Sequence, residues 1–398
     1  MANTVNRATL YTDLLDSILA AGLTSSGLTA GASSIKYNGG KAIELAKLSV
    51  GGFGDYNRDT GYPAGAATNT WEAHTISMDR GIKFNIDVMD ADETMQVLSA
   101  SNLIAEFSKT QSIPEIDSYR YSTIFQGIVD DTSVRYGYYT PAVATAVSTV
   151  TDAISDMQDA IGESEPLVLY MSGAYYKFLT KGTELSKFVS VDNTGKKSID
   201  SRLLGIDGVE IIVVPSARLK TEFAFSATNG FSAKAWAQDI NFILMAKSAA
   251  VAFIKHNQLK IIGADANQDA DAELIMSRLY HDLWVYENKH NGIYVSLKTA
   301  TIAGFSAAEL STTGATNVTY TIATYATRDT GHKFYYYDGG TVAALTAPAT
   351  YDEMTLTGYV EITSASPVSD VVTSGYYGAL LEIDENGRAV RFETLKAA

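Results

Sequence analysis

Gly39-Gly40-Lys41 has the ending of a phosphate-cradling loop, but Ile35 stands where the first glycine belongs and Ala42 replaces the hydroxyl that would hold Mg²⁺. A nucleotide phosphate has no seat there. Gly52 and Gly54 lack the third glycine and the strand-to-helix setting of a dinucleotide site. Asp265, Asn267, Asp269, Asp271 and Glu273 open like a calcium loop, yet Ala270 occupies the turn glycine's position and Met276 that of the bidentate glutamate, so the run reads as a solvated turn. His74, His256, His281, His290 and His332 are scattered, with no pair at helical ligand spacing, and His281 shares the parity of Ile275 and Leu279, which marks it as structural. After Gly230-Phe231-Ser232, Lys234 stands where a nucleophile elbow closes on glycine. Asp152, Asp156 and Asp159 read as a wet helix face. The absence of cysteine excludes disulfides, thiolate nucleophiles and iron-sulfur ligation. The expectation is a chain with no catalytic residue, no cofactor and no metal.

Other chemistry lies in recognition. Residues 51–74, GGFGDYNRDTGYPAGAATNTWEAH, hold five glycines and no periodic pattern. Such a long connection inside a folded chain points to a functional or partner-stabilised loop. Phe53, Tyr56, Tyr62 and Trp71 beside Asp55 and Arg58 could form a ligand platform or a carbohydrate surface, or be covered by a neighbouring subunit. No scaffold nearby would hold a pocket rigid, so the composition favours an interface, with Arg80 on the following strand added to the set.

The elements that position these residues follow from periodicity. Residues 8–22 form a short amphipathic helix, followed by a Ser/Gly/Thr-rich connector, Leu23 to Gly40, with little to bury. Strands are expected over 43–50 and 75–87, where Ile82, Phe84 and Ile86 alternate with polar residues; such a ribbon carries its tip about 30 Å from the body. A helix over 91–110 begins with Asp92 and Glu93 and carries Met95, Leu98, Leu103 and Phe107, Pro114 breaks or kinks it, and a second helical piece runs over 115–129. A helix over 140–161 is capped by Thr140, with Pro141 in its first turn and Val143, Val147, Val150, Ile154 and Met157 on its stripe. Buried strands are expected at 167–171 and 209–214, with Ser172 capping a helix between them. The run 241–254 is strongly apolar, 274–287 is a long strand apolar on both faces, and Asn291-Gly292 signals a type I′ turn. After residue 300 short alternating runs, the last folded about Asn386-Gly387, indicate a separate all-β module.

Thirty Lys+Arg against forty-five Asp+Glu leave a net charge of −15, a field that repels phosphate backbones and argues against nucleic-acid recognition as the main task. Asp13 and Asp16 interrupt the apolar stripe near the start, so neither a signal peptide nor a spanning helix is expected.

Taken in order, these elements resemble the major capsid proteins of tailed bacteriophages, with their Hong Kong 97-type fold. PEIDSYRYSTIF at 114–125, VEIIVVPSARL at 209–219, and INFILMAKSAAVAFIKHNQLKII with NQDADAELIMSRLYHDLWVYENKHNGIYV between 240 and 295 are similar to that family. The resemblance implies an α+β fold divided into an N-terminal arm (1–40), an extended loop lying over an adjacent subunit (41–90), a spine helix region (91–134), an axial domain (135–240) and peripheral strands (241–299). The β-rich module at 300–398, Ig-like or of decoration type, is additional to the minimal family pattern. The resemblance also implies a shell of hexamers and pentamers of the chain itself, enclosing double-stranded DNA without sequence-specific binding. Separate scaffolding, portal and decoration proteins would be its partners. The chain would be assembled in the host bacterial cytoplasm and reside in the virion. Competing expectations are an encapsulin-type compartment, a bacterial surface adhesin suggested by the Thr-rich module, and an enzyme with an unrecognised site.

Overall fold

The structure, a computed structural model, describes residues 22–29, 36–37, 42–56, 58–59, 61–62, 64–89, 100–129, 136–182, 188–191, 197–200, 203–226, 230–268, 270–306, 309–312, 317–322, 325, 328–338 and 340–397. The helix expected over 8–22 lies, apart from Gly22, outside them. β1 (Lys36–Tyr37) lies beside β2 (Ala42–Val50), which pairs antiparallel with β3 (Ala67–Thr75) in unbroken register from Ala42↔Thr75 to Val50↔Ala67. β4 (Met78–Asp87) then leaves this ribbon for another sheet. The ribbon's return strand is therefore 67–75, inside the stretch read as patternless, and not the expected 75–87. Thr68, Thr70 and Trp71 favour strands, but every residue from Ala67 to Trp71 is exposed, so no buried face imposes alternation.

The expected beginning of the next helix, with Asp92, Glu93, Met95 and Leu98, lies outside the described residues. α1 (Ala100–Phe107) runs through a π-helical turn, Ser108–Ser112, into α2 (Ile113–Val129). The break expected at Pro114 is absorbed by this wide turn. Proline lacks an N–H and crowds the carbonyl four residues back; the π turn, in which the Ile113 N–H donates to Ser108 O, opens that space while the chain stays helical. Leu23–Thr29 is no loose connector either: Leu23, Ser25 and Leu28 are buried. Thr24 and Ser25 each donate a backbone N–H and a hydroxyl to the fully buried carboxylate of Asp117 on α2, which also accepts from Arg218 Nη1 at 3.1 Å. The small polar residues supply donors that a buried acid requires, which composition alone does not reveal.

β5 (Tyr136–Tyr138) precedes α3 (Ala146–Ile161). The helix starts at Ala146, later than the expected Thr140, after a turn over residues 143–145; Val143 on that turn is exposed, while Val150, Ile154 and Met157 are buried. β6 (Leu167–Ser172) is buried throughout, and the Ser172 hydroxyl accepts the Tyr175 N–H at 3.2 Å to cap α4 (Gly173–Lys181). β7 (Phe188–Val191) and β8 (Lys197–Asp200) form a hairpin, followed by β9 (Gly205–Ile206), β10 (Val209–Val214), and the short pair β11 (Phe223–Phe225) and β12 (Phe231–Ala233). The apolar run 241–254 divides into β13 (Ile240–Ala246) and β14 (Ala250–Ile262) at a turn carrying exposed Lys247. β15 (Ala272–Val285) is the long two-faced strand, and β16 (Ile293–Leu297) ends the body. Asn291-Gly292 closes a 3₁₀ turn instead of a type I′ hairpin, since β15 and β16 belong to different sheets.

Two sheets organise the body. One is six-stranded, in the order β5-β16-β13-β6-β10-β9, and carries the main apolar core with α2, α3 and α4. The boundary drawn at residue 240 runs through this sheet, because β13 and β16 pair with β6 and β5. The other sheet, β14-β15-β4, is antiparallel, and α1 and α2 cover one of its faces through Ile104, Ile113 and Ile116 against Ile86, Leu259 and Ile275.

The C-terminal module has a three-stranded sheet of β17 (Leu310–Thr312), β18 (Asn317–Tyr320) and β21 (Val368–Val371) over a four-stranded one. The latter holds β19 (Lys333–Tyr337), β20 (Tyr359–Ile362), β22 (Tyr377–Ile383) and β23 (Ala389–Lys396) in the order β20-β19-β22-β23. Phe334, Leu380 and Val318 fill the space between the sheets, while Tyr335, Leu381 and Phe392 pack beneath Leu345, Met354 and Leu356 on the other face. The module is docked on the body. Tyr351, held at a φ of 67°, buries its ring 5.1 Å from that of Phe125 in the main core and donates from its hydroxyl to Glu222 Oε1 at 2.7 Å. Around it Lys234 pairs with Asp329 at 2.7 Å, the Trp236 ring lies against His332 and Arg391, and His332 Nδ1 meets Glu382 Oε1 at 2.8 Å.

Candidate assembly surface

At the far end of the ribbon Phe53 is fully exposed, Tyr62 is 90% and Tyr56 60% exposed. Tyr56 and Tyr62 meet edge to face at 5.0 Å, with exposed Asp55 and Arg58 beside them. Trp71, 49% exposed, stands farther down, opposite Ala46. Five of these six residues thus gather at the tip, and the sixth marks the shaft. Away from the short β1 at its root the ribbon is two strands wide, which is marginal alone, and clustered exposed rings are the usual signature of a surface that another molecule covers.

Arg80 stands apart from them. It lies on β4, where Nε donates to Glu115 Oε1 at 2.5 Å and the other guanidinium nitrogens donate to the carbonyls of Ser226 and Gly230 at 2.7 and 3.3 Å. Its charge is committed within the chain, so it braces β4 against α2. Beside it a cavity of about 750 Å³ is lined by Lys83, Phe84, Phe107, Gln111, Leu279 and His281, among others. His281 is buried and its Nδ1 has no partner among the described residues, so the expected structural histidine is present but incompletely satisfied. Burial, with the Arg120 charge, pulls its pKa down to about 3 and keeps it neutral.

The ribbon's root is held by groups that sequence reasoning missed. Ile43 and Ile76 enter an apolar socket of Val251, Phe253, Tyr280 and Trp284. Within it the buried Asp282 accepts the Ser77 N–H at 2.8 Å and the Ser77 hydroxyl at 3.2 Å on Oδ2, and the Tyr119 hydroxyl at 2.5 Å and the Leu283 N–H at 2.8 Å on Oδ1. His74 Nε2 lies 3.5 Å from Oδ2, and its ring meets Trp284 edge to face. Burial alone would raise the carboxyl's pKa; the contacts from His74, Tyr119, Ser77 and Leu283 outweigh it and hold the group below the ordinary carboxylate range. The one available signal was an acid set inside a strand apolar on both faces. Among the described residues no group of three or more His, Asp or Glu is placed to share a metal ion, and no helix is long and apolar enough to cross a membrane.

No protein-family model matches the chain, and no curated protein sequence matches it. Among solved structures it is similar to one of Mycobacterium phage Che8, at 16% identity over 69% of this chain and 90% of that one, with a TM-score of 0.43. It is also similar to the mature capsid of bacteriophage PhiM1, at 10% identity over 65% and 82% of the two chains and a TM-score of 0.47. A third likeness is to a virus-like particle from Pyrococcus furiosus, at 12% identity over 72% and 99%, with a TM-score of 0.39.

Proposed function

We propose that this chain is a major capsid protein, a structural subunit that self-assembles into the icosahedral head of a tailed bacteriophage around double-stranded DNA. The observation that carries the reading is the ribbon: nine paired residues on each strand lead to an aromatic tip that the chain's own body leaves exposed. A sister copy is the natural cover, because a heterologous contact repeated around symmetry axes closes a shell and gives every tip the same seat. The net charge of −15 suits a container whose contents must slide, since it repels phosphate instead of binding it. Hexamers and pentamers of the chain, separate scaffolding, portal and decoration proteins, assembly in the host cytoplasm and residence in the virion belong to the same reading.

Deleting Gly52–Asn69 tests it. The pairs from Ala42↔Thr75 to Lys47↔Thr70 remain, joined by residues 48–51, so the body keeps its root socket. The expected product is a folded, soluble subunit that forms no shells under the electron microscope; normal heads from this deletion would overturn the assignment. Shells of the intact chain that enclose a protein in place of DNA would instead identify the encapsulin-type compartment.

A further inference from the structure

We propose that Asp282 is the pivot that sets the ribbon's angle to the body, and that Tyr119 and Glu115 tie this angle to helix α2. Ile76 and Ser77 are the two residues between the ribbon strand β3 and the body strand β4. Both are gripped: Tyr280 donates its hydroxyl to the Ile76 carbonyl at 3.3 Å, and Ser77 gives both its N–H and its hydroxyl to one oxygen of Asp282. The other oxygen of the same carboxylate takes the Tyr119 hydroxyl, and Ser77 Oγ lies 3.0 Å from that hydroxyl, so strand, hinge and helix close a ring of polar contacts.

Glu115 stands four residues before Tyr119, on the same face of α2. It holds Arg80, three residues beyond the hinge. One helix face therefore holds the hinge at Ser77 through Tyr119 and β4 at Arg80 through Glu115, directly after the wide π turn at Ser108–Ser112, a place where helices commonly bend. A shift of α2 relative to β15 must move the Asp282 carboxylate or break its contacts, and either result redirects the ribbon. Packed interfaces tend to hold discrete arrangements instead of deforming continuously, so a small shift at this cluster can be amplified at the far end of the ribbon.

The pivot is a property of the free chain; its effect on shell geometry rests on the proposed function. The absence of cysteine allows two labels to be placed cleanly, at Thr68→Cys on the ribbon and Asp152→Cys on α3, both exposed. Pulsed electron spin resonance on unassembled, full-length protein should give one narrow distance distribution. Tyr119→Phe and Ser77→Ala, which remove single hydroxyls and spare the apolar socket, should each broaden it, and the double variant should widen it about twofold or displace its centre. Asp282→Asn should do the same where it folds. An unchanged distribution in the folded double variant would overturn the pivot. Because no shell is needed for the measurement, its outcome is separate from that of the tip deletion.

Discussion

Tyr351 shows how much a single side chain can carry. Its left-handed φ is uncommon for a bulky residue, and the strain is offset by burial of the ring beside Phe125 and by the hydroxyl's contacts with Glu222 and Thr221. Tyr351→Phe should cost about 1–3 kcal/mol by leaving buried oxygens without their donor, and Tyr351→Ala about 3–5 kcal/mol through the cavity it creates, both read from urea unfolding. The two buried histidines act in opposite directions with pH. His281, held neutral by burial, protonates in the unfolded chain below about pH 6.5 but in the folded chain only near 3, so stability is lost as pH falls through that window. His332 has its pKa raised: burial opposes this, but the Glu382 hydrogen bond and the nearby charges of Glu382, Asp329 and Glu222 prevail. Its contribution is complete below about pH 6.5 and disappears as pH rises through the raised value. Melting curves recorded from acid to alkaline pH should show a smaller acid-side fall in His281→Gln and a smaller alkaline-side fall in His332→Gln. Of this only the burial of His281 was legible in sequence, from its parity with Ile275 and Leu279. The partners of Tyr351 lie in the 221–222 turn and on α2, and no local spacing announces contacts of that range.

The elements divide by whether a buried face printed its period on the chain. β4, β6, β10 and α3 could be read because one or both faces meet the core, whereas the ribbon's return strand and the buried Leu23–Thr29 segment could not, one being wet on both sides and the other being anchored through hydroxyls. The tip residues were visible as a composition, yet Arg80, on the neighbouring strand, proved to be an internal brace. Because Phe53 and Tyr62 are almost wholly exposed, Phe53→Ser with Tyr62→Ser should leave the melting midpoint of the free subunit within about 1 °C of the parent while abolishing shells. A large drop in the midpoint would show that the rings serve the chain's own fold.

The whole molecule is less divisible than its composition suggests. The shift to Thr, Ala and Tyr after residue 300 does mark a separate set of sheets, but the module sends Tyr351 into the body's core and shares the Lys234–Asp329 and Trp236–Arg391 contacts with it. A chain ending at Lys298 should therefore unfold at a lower urea concentration than the full chain, by an amount equivalent to about 3–5 kcal/mol. Independent transitions of unchanged midpoint would show instead that the two parts merely adjoin.

The same plug has a bearing on synthesis. A ribosome delivers Phe125 long before Tyr351, so the pocket that receives this ring stays open until the module around residue 351 has been made. The body's core is thus completed by a residue of the C-terminal module, and a nascent chain that has not yet reached that module carries an open pocket beside Phe125.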